Sequence, residues 1–233
     1  VKNRSYQTEN SGCPYCRGFR VSETNSLATL CPEVAAQWHS TKNGELTPDD
    51  VVAGSAKKVW WKCDVGVDHE WQASSDSRVR GRSCPYCSGQ KVSITNSLAV
   101  LYPEVATQWH STKNGELGPN DVVARSSKKV WWKCEEGPDH EWQASPGEII
   151  RSYGTDNTGC PYCRGFRVSE TNSLAVLYPE IAKQWHPTKN GELSPKDVVT
   201  RSNKRAWWKC DKGPDHEWQT SPDHRVRGYG CHF

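Results

Sequence analysis

Four residues with metal-binding side chains lie within one short segment of the chain: Cys63, His69, Cys84 and Cys87. Cys84 and Cys87 form a C-P-Y-C pair, and this spacing lets two thiolates of one tight turn face the same ion. The stretch between Cys63 and His69 contains Gly66 and is long enough for a turn joining two strands. Three thiolates and one imidazole are a standard tetrahedral set for structural Zn²⁺. The spacing therefore predicts a structural zinc site here.

The same set recurs once in full and twice in part. The complete second set is Cys134, His140, Cys160 and Cys163. A third set has Cys210, His216 and Cys231, and half a set is formed by Cys13 and Cys16. The fourth ligand of the third set lies beyond residue 233, or His232 replaces it, or the last two residues are not those of the natural repeat. We therefore expect two complete Zn²⁺ sites and partial sites at both ends.

The alternative is that these cysteines are buried thiols or redox groups. A redox-active C-x-x-C motif belongs near a strand–helix–strand pattern, and none is visible around these pairs. The total of 11 cysteines is odd, and their spacing suits a metal better than a disulfide framework. We therefore expect an intracellular protein in a reducing compartment, which can be the nucleus, the cytoplasm or an organelle.

The composition argues against one large hydrophobic core. Hydrophobic residues make up 34% of the 233 residues, with 12 Trp, 3 Phe and no Met. Globular domains commonly reach roughly 45–50%, in a count that includes glycine. Several small cores, each closed by a metal, fit this chain better. No apolar run is long enough for a membrane span.

A tandem repeat organises the chain. Cys16 and Cys87 are 71 residues apart, and Cys87 and Cys163 are 76 apart. We predict a truncated half-module at 1–16, followed by repeats at 17–87, 88–163 and 164–233, each a helical linker and a zinc module. The expected fold class is small α+β metal-stabilised modules of the zinc-ribbon or treble-clef kind, with a β-hairpin, a C-P-Y-C turn and a broken helix.

The broken helix is predicted from the passage that follows each C-x-x-C pair. Asn96 or Ser97 can cap a short helix, and Pro103 ends that helix and can open the next. Val105 and Trp109 then share one face, which we expect to cover a zinc hairpin. The stretch HSTKNGELGPNDV at 110–122 contains turn dipeptides and is predicted to be a linker-like loop.

Side-chain alternation gives the hairpin strands two different faces. Val59, Trp61 and Cys63 share the metal side, and Trp71 joins them from the return strand. On the outer face an aromatic ring lies between two cations, which suits base stacking and phosphate contact. The outer-face candidates for nucleic-acid binding are Lys58, Trp60, Lys62, Lys129, Trp131, Lys133, Arg205, Trp207 and Lys209. Alternatively, Trp60 packs on the preceding helix and the lysines are solvated.

Other basic residues and histidines carry weaker signals. Arginines before the C-x-x-C pairs can extend a basic surface, although charged turns are common: Arg78, Arg80, Arg82, Arg225 and Arg227. Three histidines each follow a Trp and are not needed to complete four ligands: His39, His110 and His186. Catalytic zinc keeps an open position for water, whereas both complete sites are filled by protein. We therefore expect no enzyme activity, and the unlikely alternative is a nuclease-associated enzyme.

The motif W-W-K-C-x₅-H-x-W-x₁₄-C-P-Y-C, followed by N-S-L-A-x-L-x-P-E-x-A-x-Q-W-H, resembles a tandem probable zinc-ribbon family with treble-clef-like zinc fingers. The resemblance covers nearly the whole chain in three registers. It implies zinc at the residues already named. Members of this family sometimes occur beside nuclease-like domains, so the resemblance also implies an association with nucleic acid.

Two functions remain open from the sequence. The first is nucleic-acid binding of low sequence specificity through the cation–Trp–cation faces. The second is a structural, zinc-stapled subunit or adaptor within a larger protein or ribonucleoprotein assembly. The formal charge of +3 favours the second, because two Cys₃His zinc sites of charge −1 each would lower it to about +1. No small-molecule substrate is expected.

Overall fold

The computed structural model of the chain describes residues 12–156 and 158–232. Its strands form three antiparallel hairpins: β1 (Lys58–Lys62) with β2 (Glu70–Ser74), β3 (Val130–Lys133) with β4 (Glu141–Ala144), and β5 (Ala206–Lys209) with β6 (Glu217–Thr220). The helices are α1 (Leu27–Leu30), α2 (Pro32–Ala35), α3 (Ser75–Val79), α4 (Leu98–Leu101), α5 (Pro103–Ala106), α6 (Pro146–Asp156), α7 (Leu174–Leu177), α8 (Pro179–Ala182) and α9 (Pro222–Val226). A 3₁₀ turn covers Pro48–Asp50.

The chain divides into two compact units. The first comprises Val1–Leu101 with Asn120–Val123 and contains the first hairpin. The second comprises Tyr102–Pro119 with Ala124–Phe233 and contains the other two hairpins. The small α+β modules predicted from the sequence are thus present, and each hairpin has its own core.

The three hairpins share one register. In the first, Trp61 lies opposite Trp71 and Val59 lies opposite Ala73. The pairs Trp132–Trp142 and Trp208–Trp218 are equivalent. Trp61 is fully buried and Trp71 nearly so, whereas Lys58 is exposed. This burial confirms the two faces predicted from side-chain alternation.

The helical passage before each hairpin covers that hairpin, as predicted. Ser26 caps α1 by accepting a hydrogen bond from Thr29 N at 3.2 Å, and a proline opens α2. The Trp38 ring then meets the Trp61 ring edge-on, with 5.6 Å between centroids. Leu27 of α1 is fully buried in the same cluster. The pairs Trp109–Trp132 and Trp185–Trp208 repeat this contact.

The passage also adds a backbone edge to the hairpin. His39 N donates to Trp60 O at 3.1 Å, and Lys62 N donates to Gln37 O at 2.8 Å. The Asn43 side chain extends this edge, since Trp60 N donates to Asn43 Oδ1 at 2.8 Å and Asn43 Nδ2 donates to Trp60 O at 2.9 Å. Asn114 and Asn190 bind Trp131 and Trp207 in the same way. The loop predicted to be linker-like is therefore hydrogen-bonded to a strand.

A helix that the sequence analysis did not predict follows each hairpin. Arg78 on α3 points from this helix into the core, where its guanidinium carbon lies 5.3 Å from the ring centroids of both Trp61 and Trp71. Arg78 Nη2 donates to Gln37 Oε1 at 2.5 Å, and Nη1 donates to the Arg82 carbonyl. Arg225 makes the equivalent contacts in the third hairpin.

The expectation that Arg78 and Arg225 extend a basic surface is therefore wrong. Both arginines are buried. Two indole faces and two oxygen acceptors replace the water that each guanidinium loses, which makes burial of the charge tolerable. Arg80 and Arg227 remain exposed and pair with Asp76 and Asp223.

None of the helices in the described part of the chain combines the length and apolar character needed to cross a bilayer.

Candidate metal centres

The first donor set is closely grouped at the end of the first hairpin. Cys63 Sγ and Cys87 Sγ are 3.6 Å apart, and His69 Nδ1 lies 3.5 Å from Cys87 Sγ and 3.7 Å from Cys84 Sγ. A zinc tetrahedron with ordinary bond lengths has S···S edges of about 3.8 Å and S···N edges of about 3.5 Å. The four donor atoms therefore have the separations of four ligands around one Zn²⁺.

The second set repeats this geometry. Cys134 Sγ and Cys163 Sγ are 3.6 Å apart, and His140 Nδ1 lies 3.6 Å from Cys163 Sγ and 3.7 Å from Cys160 Sγ. Within each of the two sets all ligand atoms lie within 4.8 Å of one another. Both predicted complete sites are thus brought together by the fold.

Each histidine ligand is oriented by partners on its other ring nitrogen. His69 Nε2 is hydrogen-bonded to Ser93 Oγ at 3.1 Å and to Thr95 Oγ1 at 2.9 Å, which leaves Nδ1 for the metal. Tyr86 stacks on the imidazole with 5.0 Å between centroids, and its hydroxyl donates to Glu70 O at 3.0 Å. His140 has equivalent partners in Ser169, Thr171 and Tyr162.

A glycine between Cys63 and His69 is required by the close approach of the imidazole. A Cβ placed on Gly66 would lie 2.7 Å from His69 Cδ2 and Nε2, which no side chain tolerates. Gly137 and Gly213 stand in the same relation to His140 and His216. The turn can therefore aim the histidine at the metal position only because this residue has no side chain.

The electrostatics of the thiols also fit a bound cation. Burial, reinforced by Cys63 and Cys84, raises the pKa of the Cys87 thiol to about 12. Burial and the neighbouring thiols likewise raise the pKa of Cys163. Thiolates packed this closely are stabilised only by a cation among them, and Zn²⁺ bound to three cysteines supplies it.

The third set has three donors. Cys210 Sγ lies 3.3 Å from His216 Nδ1, and Cys231 Sγ lies 3.6 Å from both Cys210 Sγ and His216 Nδ1. These three atoms have the separations of three corners of a zinc tetrahedron, so the site is partial. His232 is exposed and does not belong to this cluster as the described residues form it.

Cys13 and Cys16 form half a site. Within residues 12–156 and 158–232, no third donor joins them in a cluster. A hydrogen bond from the Cys16 backbone N–H is the largest of the causes that lower the pKa of the Cys13 thiol. Their turn has the same hydrogen bonds as the complete C-P-Y-C turns, with Arg17 N donating to Cys13 O at 3.2 Å.

The surroundings of the two complete sites differ in one residue. Arg78 is close enough to the first set for charges on Cys84 and Cys63 to raise its pKa, against a larger lowering by burial. In the second repeat the equivalent residue is Ile149, which is buried. The first zinc site therefore has a cation beside its thiolates, and the second has an apolar side chain.

The outer faces of the hairpins contain a residue that the sequence analysis missed. Lys42 Nζ lies 4.8 Å from the ring centroid of half-buried Trp60 and also pairs with Glu70. Glu70 lies 3.4 Å from Lys62 Nζ. Lys42 comes from the loop after α2, and only its spacing of three residues from His39 in every repeat could have indicated this role. Lys113 over Trp131 and Lys189 over Trp207 repeat the arrangement.

The histidine that follows each linker Trp has a local role. His39 is buried, and its Nδ1 accepts from the backbone N–H groups of Thr41 and Lys42 at 3.3 and 3.2 Å. Its Nε2 lies 3.1 Å from Glu70 Oε1. Lys42, more than His39, lowers the pKa of Glu70, to about 2. His110 and His186 occupy equivalent positions beside Glu141 and Glu217.

A short hairpin that carries a Cys/His pair, closed by a C-x-x-C turn and a helical passage, defines a zinc finger, and this chain has such fingers in tandem. The family described as "Probable Treble clef zinc finger domain" matches residues 34–90, 105–166 and 181–233. These matches cover more than half of the sequence, so the chain belongs to that family. No curated protein sequence matches the chain.

Proposed function

We propose that this protein is a non-enzymatic, zinc-stabilised array that binds single-stranded nucleic acid with low sequence specificity through the outer faces of its hairpins. The observation that carries this proposal is the lysine placed over the outer tryptophan in every repeat. The Lys113–Trp131 and Lys189–Trp207 distances are both 4.6 Å, close to that of the first repeat. A cation beside an aromatic ring is the combination that sequence-tolerant single-strand binding uses.

The charge of each outer face supports an anionic partner. On the first hairpin, Glu70 neutralises one of the three cations Lys42, Lys58 and Lys62, which leaves two positive charges. The second and third hairpins have the same balance, with Glu141 and Glu217 as the acids. Local positive charge therefore exists on these faces even though the whole chain is nearly neutral with zinc bound.

The magnitudes favour replacement of the lysine by a base. A cation–π contact at an exposed site contributes about 0.5–1 kcal/mol, whereas a base stacked on an aromatic side chain contributes about 1–3 kcal/mol. A base can therefore displace Lys42 from Trp60. The lysine is then free to contact a neighbouring phosphate, which adds to the binding.

The absence of enzyme activity is part of this proposal. In each complete set, four protein atoms already occupy the four corners of the tetrahedron, so no corner is left for water or substrate. All eleven cysteines are free thiols, which supports an intracellular, reducing compartment.

The test is fluorescence anisotropy with a labelled single-stranded oligonucleotide across a salt series. We expect log K to fall with log salt by about 0.7 for each phosphate neutralised. The triple change Trp60→Ala, Trp131→Ala and Trp207→Ala should weaken binding, with zinc content by elemental analysis as the control for folding. No binding by the wild-type protein at low salt would eliminate the proposal.

A second function is favoured by a different surface. Leu30, Leu101 and Leu177 end the first helix of each passage and are each at least half exposed: 54%, 50% and 51%. A repeated exposed leucine suits a protein partner, as in an adaptor or structural subunit. A triple Leu→Ser variant that loses co-purifying proteins but keeps its oligonucleotide affinity would support this second role.

A further inference from the structure

The turns that close the zinc sites carry a second aromatic–cation surface. A knuckle is defined here as a C-P-Y-C turn with the four residues after it: 13–20, 84–91 and 160–167. The first and third knuckles end in Arg-Gly-Phe-Arg, and the second ends in Ser-Gly-Gln-Lys. Phe19 and Phe166 are 72% and 70% exposed. These are the two most exposed aromatic rings in the described part of the chain.

We propose that the two Arg-Gly-Phe-Arg knuckles are stacking sites for single-stranded nucleic acid, in which the phenylalanine stacks on a base and the arginines contact phosphates. This inference rests on the proposed function and assigns a site that neither the motif nor the hairpin faces indicated. The residues are Arg17, Phe19, Arg20, Arg164, Phe166 and Arg167.

The knuckle backbone is fixed, so the phenylalanine is presented rather than loosely exposed. Phe166 N donates to Pro161 O at 2.8 Å, and Arg167 N donates to the same carbonyl at 3.1 Å. Gly165 has φ of 70°, a conformation that favours glycine, and this turns the chain outward before the ring. Zinc bound by Cys160 and Cys163 fixes the start of the same turn. A ring held in place loses little conformational freedom when a base stacks on it.

Cations lie beside each ring. The guanidinium carbon of Arg17 is 5.0 Å from the Phe19 centroid, and that of Arg164 is 4.9 Å from the Phe166 centroid. Arg20 and Arg167 follow the rings and are exposed. Arg201 adds a further cation at the third knuckle, since its Cδ is 4.0 Å from the position that a Cβ on Gly165 would take.

The chemistry of this surface favours a single strand over other partners. An exposed ring needs a flat partner with an accessible face, and the bases of a duplex are already stacked on one another. The arginines require negative charge at regular intervals near that face. Single-stranded nucleic acid supplies both features, and stacking on Phe with cation contacts is sequence-tolerant. An acidic protein would satisfy the arginines but would leave the rings without a stacking partner.

The second knuckle is a control built into the chain. Gln90 N and Lys91 N donate to Pro85 O at 2.8 and 3.0 Å, and Gly89 has φ of 71°, so its backbone repeats that of the other knuckles. Gln90 stands where they have phenylalanine, and Ser88 stands where they have arginine. The same backbone is therefore available with and without the proposed stacking group.

The experiment compares Phe19→Ala/Phe166→Ala with Gln90→Ala by anisotropy on labelled oligothymidylate of about 20 nucleotides, a length that exceeds typical single-strand sites. We expect the phenylalanine variant to bind at least about tenfold more weakly, since each lost stack typically costs fivefold or more. Gln90→Ala should bind like the wild type. Because the changed side chains are exposed, zinc content should be equal in all three proteins.

Two further variants sharpen the assignment. Arg20→Gln/Arg167→Gln should reduce the slope of log K against log salt by about 1.4, since each phosphate contact on a single strand contributes about 0.7. Ser88→Arg/Gln90→Phe should strengthen binding several-fold by creating a third stacking knuckle.

The outcomes separate this inference from the proposed function. Wild-type binding that survives unchanged in the phenylalanine variant would overturn the knuckle site while leaving nucleic-acid binding intact, and a role of these rings in a protein contact would then remain. Tighter binding to duplex than to single strand would also overturn it. No wild-type binding to any oligonucleotide would remove both proposals together.

Discussion

The first and second hairpins solve the same packing problem differently. In the first, Arg78 lies between the core tryptophans and is hydrogen-bonded to Gln37 and to the Arg82 carbonyl. In the second, Ile149 takes that place, on a helix that is 11 residues long instead of 5. The five extra residues of the second repeat thus extend the helix that carries the isoleucine.

This exchange leaves traces in neighbouring residues. Gln108, the counterpart of Gln37, has a buried Oε1 atom without a hydrogen-bond partner. A Cβ on Gly159 would lie 2.6 Å from Ile149 Cγ2, whereas the first repeat has Ser83 at that position. The zinc hairpin therefore tolerates either a polar clasp or an apolar plug, provided that the residue just before the C-x-x-C pair changes with it.

Removal of zinc should have the largest effect and should not distinguish the hairpins. Structural zinc contributes on the order of 10–16 kcal/mol to the folding of small modules, far more than any single contact in either core. We expect a strong chelator to abolish the near-ultraviolet circular dichroism of the tryptophans and zinc readdition to restore it. Native tryptophan signals persisting in zinc-free protein would show that the cores hold without metal.

Exchange of the residue before the C-x-x-C pair should distinguish the two hairpins. Gly159→Ser forces atoms against Ile149 and should destabilise the protein by about 1–3 kcal/mol, the usual cost of overpacking. Ser83→Gly should change stability by well under that amount. The measurement is urea unfolding in the presence of zinc. Equal effects of the two changes would mean that Ile149 does not set the space at this position.

The glutamines give a second matched pair. Gln37→Met leaves a buried guanidinium N–H group of Arg78 without its acceptor and should cost about 1–3 kcal/mol. Gln108→Met removes an acceptor that has no partner and should be neutral or slightly stabilising. Thermal unfolding of both variants with zinc bound decides this. A larger loss for Gln108→Met than for Gln37→Met would contradict the clasp and plug description.

The smallest effect concerns a feature that both hairpins share. Lys42 and His39 lower the pKa of Glu70 from its ordinary value of 4.5 to about 2. The carboxylate therefore stabilises the fold at pH values above about 4.5, and this contribution is lost as pH falls towards 2. We expect the stability difference between wild type and Glu70→Gln to stay constant from neutral pH to about pH 5, and to shrink below it.

Glu141→Gln provides the comparison for this carboxylate, because Lys113 and His110 lower the pKa of Glu141 to about 2 as well. Urea unfolding of both variants over the same pH series should give matching curves. A stability difference that grows on acidification in either hairpin would reverse the sign of this argument.

The sequence predicted the parts of this structure that depend on local spacing. The ligands Cys63, His69, Cys84 and Cys87, the inner face with Trp61, and the helix break at Pro103 all follow from side-chain type and period. These features confirm the predicted fold class and the two complete sites.

The parts that the sequence did not predict depend on contacts between distant residues. Arg78 lies in a charged stretch that is typical of a solvated turn, and only the two indole rings meeting above it explain its burial. Lys42 and Asn43 lie in a stretch typical of a loop, yet both contact Trp60, seventeen or more residues away. Tyr86 appeared only as a spacer between two cysteines, although it stacks on His69.

The side-chain amide of Asn43 acts as a substitute for a neighbouring peptide group. It satisfies both the N–H and the C=O of Trp60, and Asn114 and Asn190 do so for the other hairpins. A polypeptide with three nearly identical ribbons holds them at high mutual concentration, where unsatisfied strand edges would join with one another. One carboxamide per ribbon blocks that edge, so copies of the same finger can follow each other in a single chain without fusing into a common sheet.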